Sequence, residues 1–180
     1  DKAMGYDTDT SGWIFVGKKK EQEDIAEIYR EAIFALPKLL TTENDRYCFG
    51  APAFHKWAND IENGYFEQIK PEEFDSRSMY INFVFTLATN GCCCPNFLHR
   101  VNDLNPDMTY LYDISLLYKR TADIWHNDGG NDLEALGGSF NITLETLQTP
   151  EKREKIAARI RECGDIIDEV VKILNENIRR

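Results

Sequence analysis

A polar stripe runs along an otherwise apolar segment of the chain. Four side chains that both donate and accept hydrogen bonds recur at intervals of four within residues 77–90: Ser78, Asn82, Thr86 and Asn90. Buried polar groups need hydrogen-bond partners, which neighbouring helices, water or a ligand can supply. A few convergent polar groups among aromatic walls are typical of a small-molecule pocket.

Aromatic side chains concentrate around this stripe, because residues 47–126 hold 15 of the 21 in the chain. Excess acidic charge nearby favours a cationic or aromatic ligand, through ion pairing and cation–π contact. The sequence therefore predicts a ligand-binding pocket lined by six residues: Trp57, Tyr80, Asn82, Thr86, Tyr118 and Trp125. The alternative is an aromatic core in which protein groups satisfy the polar stripe.

Three consecutive cysteines, Cys92, Cys93 and Cys94, precede Pro95, where a helix is expected to begin. A helix N-terminus lowers the pKa of a thiol, and His99 nearby could act as the base for a cysteine nucleophile. A zinc site built from these residues lacks the second, distant ligand pair that is usual in tetrahedral sites. Buried structural cysteines are the third interpretation. The sequence predicts no metal ion and no cofactor.

Two further patterns have ordinary structural interpretations. Residues 7–12 resemble the first half of a calcium-binding loop, but Lys18 stands where such a loop needs a bidentate glutamate, so we interpret them as a hairpin turn. His55 and His126 each lie on a predicted helix near a tryptophan. We interpret both as stacked or hydrogen-bonded core histidines.

The chain that positions these groups is predicted to be mainly α. Residues 1–20 favour a β-hairpin that ends a missing upstream domain, and residues 21–180 favour a helical bundle. Apolar periodicity and helix-start signals predict helices at six places: 25–36, 52–62, 77–90, 95–104, after an Asp107 cap to 124, and from 150 onwards. The alternation of apolar residues within 77–90 would also suit a strand, but its length favours a helix. Pro37 is expected to end or kink the first helix.

The last predicted helix carries a regular apolar seam. Its residues recur at intervals of 4-3-4-3-4: Ile156, Ile160, Cys163, Ile167, Val170 and Leu174. A seam of this kind packs against another helix. The exposed edge of the same helix could also contact a second copy of the chain, which would make the protein a homo-oligomer.

Composition excludes several classes of partner. Residues 21–150 hold 21 acidic and 9 basic side chains, a net charge of −12, and an acidic surface disfavours nucleic acid. No run of 18 apolar residues exists, so the sequence predicts no membrane segment. An odd count of five cysteines fits a reducing compartment, and we expect a cytoplasmic protein.

The hairpin motifs Gly5-Tyr6-Asp7 and Trp13-Ile14-Phe15-Val16, followed by Ala53-Phe54-His55-Lys56-Trp57-Ala58, resemble a group of bacterial proteins with a papain-like fold. The group includes the butirosin-biosynthesis protein H family and bacteriocin-processing cysteine peptidases. The resemblance implies that this chain is the helical companion of such a domain, with acyl-transfer or peptidase-like chemistry elsewhere or a degenerate ligand-binding version. No residue here matches the family's nucleophile or histidine.

Three hypotheses for the function follow. The favoured one is a helical domain that binds or senses a small molecule. The alternatives are part of a cysteine-dependent acyl-transfer or hydrolytic enzyme, and a protein-interaction module. Reactivity of the cysteines distinguishes the first alternative, and a stable oligomer distinguishes the second.

Overall fold

A computed structural model describes residues 24–65, 67–75, 93–126 and 142–178. Within these ranges the protein is mainly α-helical, as predicted, with one isolated antiparallel bridge between Glu43 and Cys48. The predicted hairpin and the predicted helix at 77–90 lie outside the described residues. Six helices are numbered here in chain order: α1 (Ile25–Leu40), α2 (Ala51–Glu62), α3 (Cys93–Leu104), α4 (Leu111–His126), α5 (Leu144–Gln148) and α6 (Pro150–Ile178).

Helix α1 continues through Pro37 to Leu40, so of the two predicted effects of this proline, an end or a kink, the end does not occur. A proline so near the C-terminus removes only a single intrahelical hydrogen bond. Threonine side chains then satisfy two of the final carbonyl groups. Thr41 Oγ1 donates to Pro37 O at 2.8 Å, and Thr42 Oγ1 donates to Lys38 O at 2.7 Å.

Helix α2 begins and ends where its sequence signals place it. Pro52 lies in its first turn, where a missing N–H costs nothing, and the chain leaves it through Asn63 and Gly64. Gly50, just before the helix, has a positive φ of 65°. A Cβ at this position would lie 2.0 Å from Leu40 O. Glycine therefore allows α2 to start directly against the end of α1.

Helices α3 and α4 form a hairpin joined by residues 105–110. The buried Asn105 side chain ties this turn to α1 by donating to Ala26 O at 3.1 Å, and it also donates to Val101 O at 3.2 Å. The sequence analysis expects Asp107 to cap α4, but the helix begins at Leu111. That expectation is wrong, because the Asp107 carboxylate instead accepts two hydrogen bonds from Arg30.

Helix α6 is the central helix and contacts α1, α2, α4 and α5, with its most extensive interface against α2. Every residue of the predicted seam is buried, from Ile156 to Leu174, which confirms the seam. Since the seam packs within the chain, only the remaining faces of α6 could meet a second copy. Oligomerisation through this helix stays a prediction.

The buried side chains form two main clusters along α6. The first, here called the α2 core, surrounds its N-terminal half and contains Ala58, Ile61, Phe74, Ile142, Leu147, Ile156, Ala157 and Ile160. The second, here called the α4 core, surrounds its C-terminal half and contains Ile33, Leu98, Val101, Met108, Leu111, Ile114, Val170 and Leu174. A smaller group joins them at the middle of α6: Ile124, Cys163 and Ile166.

Candidate functional site

Charged side chains line the edge of the interface between α2 and α6. Arg161 donates to Glu62 Oε2 at 2.6 Å and to Asn59 Oδ1 at 3.3 Å, while Arg153 pairs with Glu67 just beyond α2. Residue numbers rise along α2 as those of their partners fall along α6, so the two helices run antiparallel. These ion pairs and the α2 core beneath them fix the relative position of the two helices.

His55 lies in this edge, directly over Gly164 of α6. A Cβ built on Gly164 would lie 2.8 Å from Cε1 and 3.0 Å from Nδ1 of His55, and 3.1 Å from Cβ of Phe54. Real Cβ atoms do not approach other atoms so closely, so only glycine leaves room for the imidazole here. The His55 side chain is 34% exposed and keeps one edge open to solvent.

Two carboxylates of α6 converge on the same imidazole nitrogen. Nε2 of His55 lies 2.9 Å from Oδ2 of Asp168 and 4.0 Å from Oδ1 of Asp165. The aspartates are three positions apart, which places them on one face of the helix. One ligating atom from each of the three residues lies within 4.8 Å of the others. Two negative charges and one imidazole therefore meet at the open edge of the interface.

A pocket of about 330 Å³ adjoins His55 on the side away from α6. Its lining consists of Glu43, Pro52, His55, Lys56, Asn59 and Asp60. Lys56 pairs with Asp60 at 3.4 Å along the wall of the pocket. Among the three clustered residues, His55 lines this pocket, whereas Asp165 and Asp168 do not.

A second pocket, of about 310 Å³, lies where α1 meets the turn before α4. Arg30 and Asp107 span it with two hydrogen bonds of 2.7 Å each, beside Phe34, Tyr110 and Asn177. The hydrogen bonds from Arg30 hold the pKa of the Asp107 carboxyl below its ordinary value of 3.8. Because each charge is already paired with the other, this pocket offers no charge of its own to a ligand.

The six residues of the predicted pocket fall in different parts of the chain. Trp57 packs against the α2 core, with its ring 6.5 Å from that of Phe54. Tyr118 packs against the α4 core, where burial raises the pKa of its phenol. Trp125 belongs to α4, and its side chain lies outside the described part of the structure, as do Tyr80, Asn82 and Thr86. Trp57 and Tyr118 thus pack against different cores, and the pocket stays a prediction.

Two residues that bear on cysteine chemistry, Cys163 and His99, have described side chains. Burial raises the pKa of the Cys163 thiol to about 12, which suppresses the nucleophilic thiolate. Nε2 of His99 lies 3.0 Å from Oγ of Ser115, and this hydroxyl donates its proton to Tyr112 O at 2.6 Å. His99 is therefore the donor to Ser115, and its predicted role as a base for a cysteine stays a prediction.

The sequence analysis missed the site at the α2–α6 edge. It interpreted His55 as a core histidine and assigned no role to Asp165 or Asp168. The only local signal was Gly164 in the middle of a long helix, beside two aspartates at i, i+3 spacing. The pairing itself joins residues 113 positions apart, and no helical pattern predicts such a distance.

Comparison with known proteins adds no relative. No protein-family model, no curated protein and no solved structure matches the chain. The resemblance to papain-like families therefore stays an expectation from the sequence. Across the described ranges, none of the helices has the length and apolar composition needed to span a membrane.

Proposed function

We propose that this chain is a ligand-binding helical domain whose ligand is a small cation. The ligand site is formed by His55, Asp165 and Asp168 at the edge between α2 and α6. The observation that carries the proposal is the convergence of two carboxylates on one imidazole nitrogen, at 2.9 and 4.0 Å. The proposal keeps the cationic ligand predicted from the sequence and assigns it to a different surface.

The charges and the exposure of the site support a cation. The side chains of Asp165 and Asp168 are 70% and 58% exposed, so a ligand can reach them from solvent. The chain has a net charge of −10, and the resulting field raises the local concentration of cations.

The competing interpretation is that His55 and Asp168 only hold α2 against α6. An exposed ion pair of this kind contributes about 0–1 kcal/mol, which is small beside the apolar interface beneath it. This interpretation also gives no reason for the Asp165 carboxylate to lie beside that of Asp168, because the two negative charges repel each other. A bound cation would turn that repulsion into attraction.

The test is cation-dependent stabilisation of the full chain, measured by urea unfolding at fixed ionic strength. The probes are Mn²⁺, Co²⁺ and 1,4-diaminobutane. A ligand present at 100 times its Kd stabilises the folded chain by about 2.7 kcal/mol. We expect at least one probe to stabilise the wild-type chain and to lose this effect in the double variant Asp165→Asn/Asp168→Asn.

The matched control is Glu169→Gln, which removes an exposed charge from the same helix outside the cluster. This variant should keep the full response to the probe. The proposal is wrong if no probe at millimolar concentration stabilises the wild type, or if the double variant responds as strongly as the wild type.

A further inference from the structure

We infer that the cation is a divalent metal ion, coordinated by Nε2 of His55 and by one carboxylate oxygen each from Asp165 and Asp168. The inference rests on the proposed function and names the class of ligand for the same site. It follows from the distances between the three ligating atoms, from the fit of His55 over Gly164 and from the chemistry of the ligand set.

The distances fit a shared metal ion. With metal–ligand bonds of about 2.1 Å, neighbouring ligands lie about 3.0 Å apart in an octahedron and about 3.4 Å apart in a tetrahedron. The separation of 2.9 Å between Nε2 of His55 and Oδ2 of Asp168 already has this value. The separation between Nε2 of His55 and Oδ1 of Asp165 is 4.0 Å. It reaches the octahedral value if the exposed Asp165 carboxylate moves about 1 Å toward His55.

The orientation of the imidazole also suits coordination. Its Nδ1–Cε1 edge lies over Gly164, while Nε2 faces both carboxylates. In a simple ion pair a single N–H on Nε2 satisfies one carboxylate and leaves the second beside it without that proton. A metal ion at the meeting point instead accepts the Nε2 lone pair and neutralises both carboxylates.

Gly164 explains how the imidazole of His55 is held in position. A glycine in the middle of a helix is less favourable than alanine, and this position lies well inside the 29-residue α6. A Cβ there would occupy the space of the imidazole, 2.8 Å from Cε1. The missing Cβ of Gly164 thus leaves space for the imidazole of His55 between α2 and α6. Other contacts fix these two helices, so the imidazole is already in position to bind a metal ion.

The ligand types select a class of metal. One imidazole and two carboxylates suit Mn²⁺, Fe²⁺, Co²⁺ or Zn²⁺, whereas Ca²⁺ and Mg²⁺ prefer oxygen ligands alone. Three protein ligands leave at least one coordination position for water or a second ligand. The site is therefore expected to be open and its metal exchangeable.

Calorimetric titration of the full chain with Co²⁺, followed also by its absorption spectrum, tests this inference. Co²⁺ reports its ligands, because bound thiolates give an intense charge-transfer band that nitrogen and oxygen ligands do not give. We expect one Co²⁺ per chain without that band. Binding should weaken at least tenfold in His55→Gln, Asp165→Asn, Asp168→Asn and Gly164→Ala.

Glu169→Gln and His99→Gln are the matched controls, each removing a carboxylate or a histidine outside the cluster, and both should bind Co²⁺ like the wild type. Circular dichroism of every variant shows that it is folded. A thiolate band, or binding that survives His55→Gln, would overturn the inference. Site-dependent binding of 1,4-diaminobutane without binding of Co²⁺ would overturn it and leave the proposed function standing. Failure of every probe would overturn both.

Discussion

The two flanks of α6 share one apolar seam and differ in what borders it. Toward α2, the seam has an edge of ion pairs made by Arg153, Arg161 and His55, and a glycine beneath the His55 ring. Toward α1 and α4, Val170 and Leu174 pack in a larger set of aliphatic side chains. The α2 flank is bordered by the pairs Arg153–Glu67, Arg161–Glu62 and His55–Asp168, and the α4 flank by the pair Arg120–Glu162 beside its apolar contacts.

This difference suggests how stability and function are divided. Apolar burial contributes about 25 cal/mol per Å², whereas exposed ion pairs contribute little. The apolar cores on both flanks are therefore expected to hold the fold together, while the polar edge of the α2 flank is free to carry converging charges that weaken it slightly. Four predictions test this division, from the largest expected effect to the smallest.

The first prediction concerns Cys163, which lies where the two cores meet. Its thiol is fully buried and its pKa is raised to about 12, so it should react with iodoacetamide only after the chain opens. For a domain of ordinary stability, labelling at pH 8 should be at least about a thousandfold slower than in the unfolded chain. Mass spectrometry of quenched samples measures the rate at this residue.

Half-buried Cys48 and Cys94 are the internal controls and should label faster than Cys163 in the folded chain. Rapid labelling of Cys163 under native conditions would show that the junction of the two cores is open. It would also revive the hypothesis of a cysteine-dependent enzyme.

The second prediction compares truncations on the two flanks. Leu174→Ala removes a fully buried side chain from the α4 core and should lower the free energy of unfolding by about 2–5 kcal/mol. His55→Ala on the polar edge should lower it by no more than about 1 kcal/mol. Urea unfolding measures both.

Leu116→Ala is the control for loss of an aliphatic side chain, because Leu116 is 49% exposed, and it should change stability by less than about 0.5 kcal/mol. Equal effects of Leu174→Ala and His55→Ala would contradict the division between the flanks.

The third prediction concerns Gly164, where α6 approaches α2. Alanine should gain up to about 1 kcal/mol of helix propensity but lose about 1–3 kcal/mol to the contacts with His55 and Phe54. We expect a net loss of about 1–2 kcal/mol in thermal or urea unfolding. The double variant His55→Ala/Gly164→Ala should be less destabilised than the sum of the two single changes, because the imidazole no longer obstructs the new methyl group. If the destabilisation of the double variant equals the sum of the two single effects, the imidazole of His55 does not contact the new methyl group at position 164.

The smallest expected effect lies at the Arg30–Asp107 pair. Arg30 lowers the pKa of the Asp107 carboxyl below 3.8, so the carboxyl binds protons more weakly in the folded chain than in the unfolded one. The pair therefore stabilises the fold above that ordinary value, and its contribution disappears as the pH falls through the lowered value. Asp107→Asn should flatten the acid limb of the stability profile slightly, and less so at high salt. A steeper acid limb in the variant would contradict the assignment.

Local signals in the sequence predicted most of the helices that the structure describes. The seam of α6 and the two ends of α2 follow from apolar spacing, an early proline and a glycine after the helix. Helix α5 was missed because its five residues are too short for a period to show. The start of α4 was misplaced because an aspartate before an apolar periodic segment is a good N-cap candidate. In the structure the Asp107 carboxylate instead binds Arg30.

The sequence by itself determined the helical class, the acidic character and the buried face of α6, because each depends on composition or on residues three and four positions apart. Only the tertiary structure decided which polar side chains meet. His55 reaches Asp168 across 113 positions and Arg30 reaches Asp107 across 77. Such meetings depend on how helices are placed against one another, and that placement is fixed by apolar packing and by a missing Cβ at Gly164.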